Sequence, residues 1–172
     1  MATGSVIRSE RPDEAAAIAA LVASAFDRAA EAELVAALRA QGALWLSLVA
    51  ELDGRIVGHV ALSPVAVDGR TGAGRWLGLA PLAVAPAHQR AGIGRRLVGE
   101  AVAQAAAGGA GAVFVLGEPG YYGALGFAPA ADLGWRCVYD APPAAFRVRL
   151  LGRADDRPQP GLVTYHAAFG AV

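Results

Sequence analysis

Leu82-Ala83-Val84-Ala85-Pro86-Ala87-His88-Gln89-Arg90-Ala91-Gly92-Ile93-Gly94 joins an apolar run, a proline and two closely spaced glycines. The run ends a longer stretch, Trp76 to Val84, that is nearly continuous in apolar residues, as a buried strand is. Beyond Gly92 the period changes. Ile93, Leu97, Ala101 and Ala105 fall on one helical stripe, which stops near Gly108-Gly109. A strand therefore runs through a tight loop into a helix. Such a turn aims unpaired backbone N–H groups, at the positive end of the helix dipole, at whatever lies above it. Gly92 and Gly94 have no side chains to block close approach, which is what a pyrophosphate requires. Arg95 and Arg96 stand in the first turn, where cations are disfavoured. A nearby anion and a solvated arginine pair both account for them.

The elements on either side are consistent with one mixed α/β domain spanning residues 1–172. Ser5–Arg8 reads as a strand, and Pro12-Asp13-Glu14 opens a helix with Ile18, Leu21, Val22 and Phe26 at helical spacing. A second helix carries Leu34, Val35 and Leu38 and is closed by Gly42. Leu46–Leu52 and Arg55–Val60 form a hairpin across Asp53-Gly54. Val65–Gly74 reads as a glycine-rich turn region, Ala112–Leu116 as a buried strand, and Gly117–Leu125 as a turn with one short helix. Strand-like runs follow from Phe127, at Ala145–Leu151 and at Leu162–His166, and Asp155–Pro160 is expected to be a mobile surface loop. Antiparallel strands thus come first, with a strand–helix–strand crossover in the middle.

Composition excludes several functions. Fifteen basic and fifteen acidic residues cancel, which argues against a nucleic-acid surface. The longest apolar stretch, Ala105–Gly117, is too short to span a membrane and is interrupted by Gly108, Gly109 and Gly111. Met1–Glu10 has no apolar signal core, so a cytoplasmic protein is expected. Cys137 stands alone, and no residues near it resemble a metal-ligand cluster; no metal is expected. All fifteen basic residues are arginine. Without lysine there is no Schiff base and no phosphate-loop lysine of a nucleoside-triphosphate site. The dinucleotide pattern G-x-G-x-x-G is also broken, because Leu97 stands at its third glycine. The pattern that remains is [QR]-x-x-G-x-[GA] after a strand, met by Gln89, Gly92 and Gly94.

In this stretch the sequence resembles the GNAT superfamily of N-acetyltransferases, within it the bacterial YhbS-like branch. Leu82 to Gly94 looks like the cofactor motif, and Tyr122-Gly123-Ala124-Leu125-Gly126-Phe127 resembles the second signature, a tyrosine four residues before Gly-Phe. The runs Ala80-Pro81-Leu82-Ala83-Val84 and Gly161-Leu162-Val163-x-Tyr165-His166 carry the branch resemblance. The resemblance implies a mixed sheet of about seven strands flanked by helices, with splayed central strands and pantetheine between them. Pro81, which cannot donate a ladder hydrogen bond, fits an edge or bulge there, and a simple bend as well.

The resemblance further implies an acetyl-CoA cosubstrate held by Leu82, Ala83, Val84, Gln89, Arg90, Ala91, Gly92, Ile93, Gly94 and Arg95. An amine acceptor is the other partner, homodimerisation is compatible, and neither nucleic acid nor membrane is expected. A backbone N–H at Val84 or a neighbour would polarise the thioester, and Tyr122 would be the general acid, since a phenol of pKa about 10 can protonate a thiolate of about 8.5. No base announces itself. Glu118 is the nearest carboxylate, against the competing reading of a surface turn residue. His59, His88, His166 and Cys137 lack motif support, and Trp45, Trp76 and Trp135 read as packing or as an acceptor pocket. Transfer to a primary amine without an acyl-enzyme is the expected reaction. A non-catalytic acyl-CoA sensor is the alternative, as is an NAD enzyme using the same loop.

Overall fold

The structure is a computed structural model and describes residues 4–172, so Met1–Thr3 of the expected 1–172 domain lie outside it. Its strands are β1 (Val6–Ser9), β2 (Leu46–Leu52), β3 (Arg55–Pro64), β4 (Ala66–Val67), β5 (Arg70–Thr71), β6 (Trp76–Val84), β7 (Ala112–Leu116), β8 (Ala128–Pro129), β9 (Arg136–Cys137), β10 (Phe146–Leu150) and β11 (Leu162–Thr164). The helices are α1 (Ala15–Phe26), α2 (Ala30–Ala40), α3 (Ile93–Ala107) and α4 (Pro119–Ala124). Seven strands hydrogen-bond in the order β1-β2-β3-β6-β7-β10-β8. The β6–β7 pair is parallel, joined by the α3 crossover, and β1–β2, β2–β3, β7–β10 and β10–β8 are antiparallel. This is the mixed sheet the sequence predicts. The parallel register runs from Trp76↔Ala112 to Leu79↔Val115 and includes none of Ala80–Val84; the Ala80–Pro81 peptide at its end is cis.

The chain clusters into two compact units. Of the described residues, the first holds 4–62, Ala80–Ala101 and Ala167–Val172. Its core packs Ile18 and Val22 of α1 and Ala32 and Val35 of α2 onto Val49 of β2 and Ala83 of β6. Phe26, placed on the same stripe by its spacing, falls at the helix end and is exposed. The hairpin turn is as predicted: Asp53 and Gly54 both have positive φ (49° and 75°), the requirement of a type I′ turn. Gly58 turns its face to α3, where a Cβ would stand 2.8 Å from Leu97 Cδ1, so α3 lies directly on β3. His59, next along β3, points to the opposite face and is fully buried.

The second unit holds Ser63–Leu79 and Val102–His166. Phe114 of β7 centres its core, with Phe146 stacked at 5.6 Å and Trp135 edge-on at 5.5 Å. Tyr165 rests on β6 at Gly78, where a Cβ would approach its ring to 2.9 Å at Cδ1. A second sheet, β5-β4-β11-β9, forms here. It corrects the reading of Val65–Gly74 as a turn region: β4 and β5 pair across Asp68-Gly69, and the Asp68 carboxylate accepts the Leu162 N–H at 2.9 Å. Asp155–Pro160 is likewise pinned rather than mobile. Its Asp156 and Gln159 carbonyls accept the indole N–H of Trp76 and of Trp135, each at 3.0 Å, and Pro158 is buried. Both tryptophans are thereby structural.

Among the described residues, no helix is long and apolar enough to cross a membrane.

Candidate active site

The loop after β6 is built by three local constraints. Ala85 donates its N–H to Val57 O (2.8 Å), Pro86–His88 makes a tight 3-10 turn, and the Gln89 side-chain amide donates to Val84 O (3.1 Å), closing the loop onto the strand it left. Arg90 and Gly92 then both take left-handed conformations, φ 61° and 85°. A Cβ on Gly92 would meet nothing within 4 Å, so its backbone conformation, not crowding, calls for glycine. The first α3 bond is Arg96 N–H to Gly92 O (3.1 Å), which leaves the amides of Ile93, Gly94 and Arg95 without an intrahelical acceptor. Ile93 is buried and anchors the turn, whereas Arg90, Ala91, Gly92 and Arg95 are exposed. The amides and the helix dipole together form a cradle for an anion.

Neighbouring residues divide between scaffold and site. The Ala83 side chain belongs to the core, so only its backbone is available; Leu82 and Val84 are half-buried. Arg96 answers the question its position raises. Its guanidinium donates to the Ser5 hydroxyl and, at 2.9 Å, to Ser5 O, tying α3 to the chain before β1. The pair Arg95-Arg96 thus splits, with only Arg95 left beside the cradle.

In the second unit, Tyr122 sits on α4 at the end of β7. Its ring lies edge-on to Phe127 (5.6 Å) and Tyr121 (5.0 Å), and its carbonyl accepts the Phe127 N–H at 3.0 Å. Gly126, at φ 88°, turns the chain so that Phe127 returns under the tyrosine. The six-residue signature is therefore one packed turn. Burial, followed by the neighbouring Tyr121, pushes the Tyr122 phenol well above its ordinary pKa, so it stays a protonated donor. Tyr121 is largely exposed.

Glu118 is the N-cap of α4. Its two carboxylate oxygens accept the N–H groups of Gly120 (2.9 Å) and Tyr121, and those bonds hold its pKa below the usual carboxylate range. A carboxylate so engaged is a weaker proton acceptor than a free one. At the other end of α4, Arg149 donates to Leu125 O (2.8 Å) and Arg147 to Phe127 O (3.0 Å). The sequence reading did not single out these two arginines. Their signal was the alternation Phe146-Arg147-Val148-Arg149-Leu150, a strand with one polar face.

His59 donates to or accepts from Ser47 Oγ through Nε2 (2.8 Å), and its Nδ1 has no partner. Burial, then Arg39, pushes its pKa down to about 3. Among the described residues, no group of three His, Cys, Asp or Glu side chains could hold a metal.

The first unit thus carries a strand–loop–helix turn with unpaired helix amides, and the second a buried tyrosine on the helix after β7. Residues 15–134 match the acetyltransferase (GNAT) family, and the chain belongs to that family. Escherichia coli YhbS, an uncharacterised N-acetyltransferase, is 42% identical over 167 residues, covering 95% of this chain and 98% of its own. The crystal structure of E. coli YhbS in complex with CoA superposes with a TM-score of 0.91 at 40% identity, over 97% of this chain and 92% of that one. A GNAT acetyltransferase from Brucella melitensis in complex with acetyl-CoA gives 0.81 at 42% identity, over 96% and 97%.

Proposed function

We propose that this chain transfers an acetyl group from acetyl-CoA directly to a primary amine of a small molecule or protein, acting in the cytoplasm as one N-acetyltransferase domain. The observation that carries the reading is the pair of left-handed residues Arg90 and Gly92 ahead of α3, next to the amides of Ile93, Gly94 and Arg95 that have no intrahelical acceptor. A pyrophosphate fits there, with Arg90 and Arg95 supplying positive charge beside it. The CoA and acetyl-CoA complexes of the two relatives support the choice of ligand. Leu82–Val84 offers its backbone to pantetheine in the manner of an added strand.

In the transfer, the neutral amine attacks the thioester carbon. The C–N bond forms, the carbonyl becomes an oxyanion held by a backbone N–H at Val84, and the C–S bond then breaks. The leaving sulfur takes its proton from the Tyr122 hydroxyl, which regains one through solvent from the amine nitrogen. Burial keeps the Tyr122 hydroxyl protonated but makes it a weaker acid, so the proton passes only as the C–S bond breaks and the phenolate is at once reprotonated. Glu118 positions Tyr122 by capping α4, and the amine gives up its ammonium proton to solvent before it attacks.

Replacement of Tyr122 by phenylalanine tests the role. Acetyl-CoA affinity is expected to stay within about twofold while turnover falls about a hundredfold or more, the smaller end of what a positioned acid supplies. Undiminished turnover would remove Tyr122 as the acid. No specific feature favours a non-catalytic sensor, and tight CoA binding without transfer to any amine of a broad panel would restore it.

A further inference from the structure

Residues 131–146, within the second unit, fold around a cleft of about 360 Å3. Trp135 and Phe146, both buried, form its floor, and Cys137, Tyr139 and Pro143 line its walls. Asp140 and Arg136, both exposed, stand at its rim.

Three relationships set the cleft beside Tyr122. Gly117, which lies under the Tyr122 ring, donates its N–H to Ala145 O at 3.0 Å, and the next residue is Phe146 of the floor. Phe146 itself pairs with Leu116, the last residue of β7 before that glycine. The Tyr139 ring stacks on Tyr165 at 6.0 Å, and after burial the groups that raise the Tyr165 pKa are Cys137, Tyr139 and Tyr122. Cleft wall and acid thus share one neighbour.

We propose that this cleft receives the acceptor, and that the acceptor is a primary amine with a single positive charge on a flat apolar body, an arylalkylamine. The inference rests on the N-acetyltransferase reading above and names its substrate class. The volume suits a body of one or two rings, at the small end of ligand pockets. The half-buried Tyr139 ring at the wall, with the apolar floor of Trp135 and Phe146, matches an apolar ring, and an aromatic face attracts an ammonium before it loses its proton. Asp140 supplies the opposite charge at the rim. Arg136, also at the rim, repels a second ammonium, which disfavours polyamines. The apolar floor favours the neutral amine that attack requires, because burial penalises the charged form.

The test measures acetyl transfer to phenethylamine, spermidine and a lysine-containing peptide, alongside acetyl-CoA binding by calorimetry. Phenethylamine is expected to show a kcat/KM at least tenfold above the other two. Tyr139→Ala and Asp140→Asn are each expected to raise its KM fivefold or more with the KM for acetyl-CoA unchanged. Preference for spermidine or the peptide overturns the inference, and so does an amine KM that neither substitution moves. If Tyr139→Ala fails to fold, saturation-transfer NMR of phenethylamine on the wild-type protein decides: transfer to its ring protons is expected, and none overturns the proposal. Acetyl-CoA binding with transfer to no amine would defeat the underlying N-acetyltransferase reading, whereas transfer with the wrong preference defeats only the substrate class.

Discussion

The Tyr122 ring lies flat against the backbone of Gly117: a Cβ on the glycine would overlap Tyr122 Cε2 and stand 2.9 Å from Cδ2. The ring's position is thus set by the absence of a side chain five residues earlier. Gly117→Ala is expected to push the ring aside, lowering kcat at least tenfold with acetyl-CoA affinity held within about twofold, because displacement of a reacting group by an ångström costs about a hundredfold. Steady-state kinetics and calorimetry on the same variant check both halves.

The short helix α4 needs both of its ends. Arg149 donates to Leu125 O at 2.8 Å, a hydrogen bond from a charged group, and such bonds contribute about 1.5–3 kcal/mol. Arg149→Ala is expected to lower unfolding stability by about 2 kcal/mol in urea titrations and to reduce kcat more than the KM for either substrate.

Gly92 tests the cradle without disturbing packing. With φ at 85° and open space around it, alanine there strains the backbone by about 1–2 kcal/mol and touches nothing. Gly92→Ala is expected to weaken acetyl-CoA binding about tenfold in calorimetry, while Tyr122 and its surroundings remain unchanged by near-ultraviolet circular dichroism.

His59 makes the fold acid-sensitive. Its pKa is pushed down to about 3 in the folded chain, below the ordinary value of 6.5, so the unfolded chain binds the proton more readily. Stability is then complete above about pH 6.5 and falls as the pH drops toward 3. The slope approaches 1.4 kcal/mol per pH unit, or about 2 kcal/mol between pH 6.5 and 5. Urea unfolding at the two pH values should show that loss, and His59→Leu should flatten it.

Tyr122 behaves in the opposite sense at high pH. Burial raises its pKa, so it keeps its proton throughout the working range. The pH profile of kcat is expected to carry no alkaline limb below about pH 10 that vanishes in Tyr122→Phe.

The elements most legible in sequence were those with a strong period or a turn that only certain residues form. Asp53-Gly54 marked its hairpin and the stripe Ile93, Leu97, Ala101 marked α3, whereas Gly92 stood out only as a place for close approach and its left-handed φ is a finding of the structure. Features that depend on long-range pairing were not legible. β4 and β5 are two residues each and exist because β11, nearly a hundred positions later, pairs with β4; no local period records that. Asp155–Pro160 has the composition of a mobile loop, yet two indole N–H groups from Trp76 and Trp135 hold its carbonyls. Within the site, the glycine loop stood out by spacing, and Tyr122 through its resemblance to a family signature. Glu118 was noticed for its place, but its role depends on which donors its oxygens meet, here the amides of Gly120 and Tyr121.

The loop Gln89–Gly94 is held to grip the pyrophosphate of acetyl-CoA, and calorimetric titration of the wild-type protein with acetyl-CoA and, separately, with NAD tests this most directly. Acetyl-CoA is expected to bind at one site per chain with a Kd in the micromolar range, about −8 kcal/mol, and NAD to give no heat of binding. Binding of NAD with none of acetyl-CoA would contradict it.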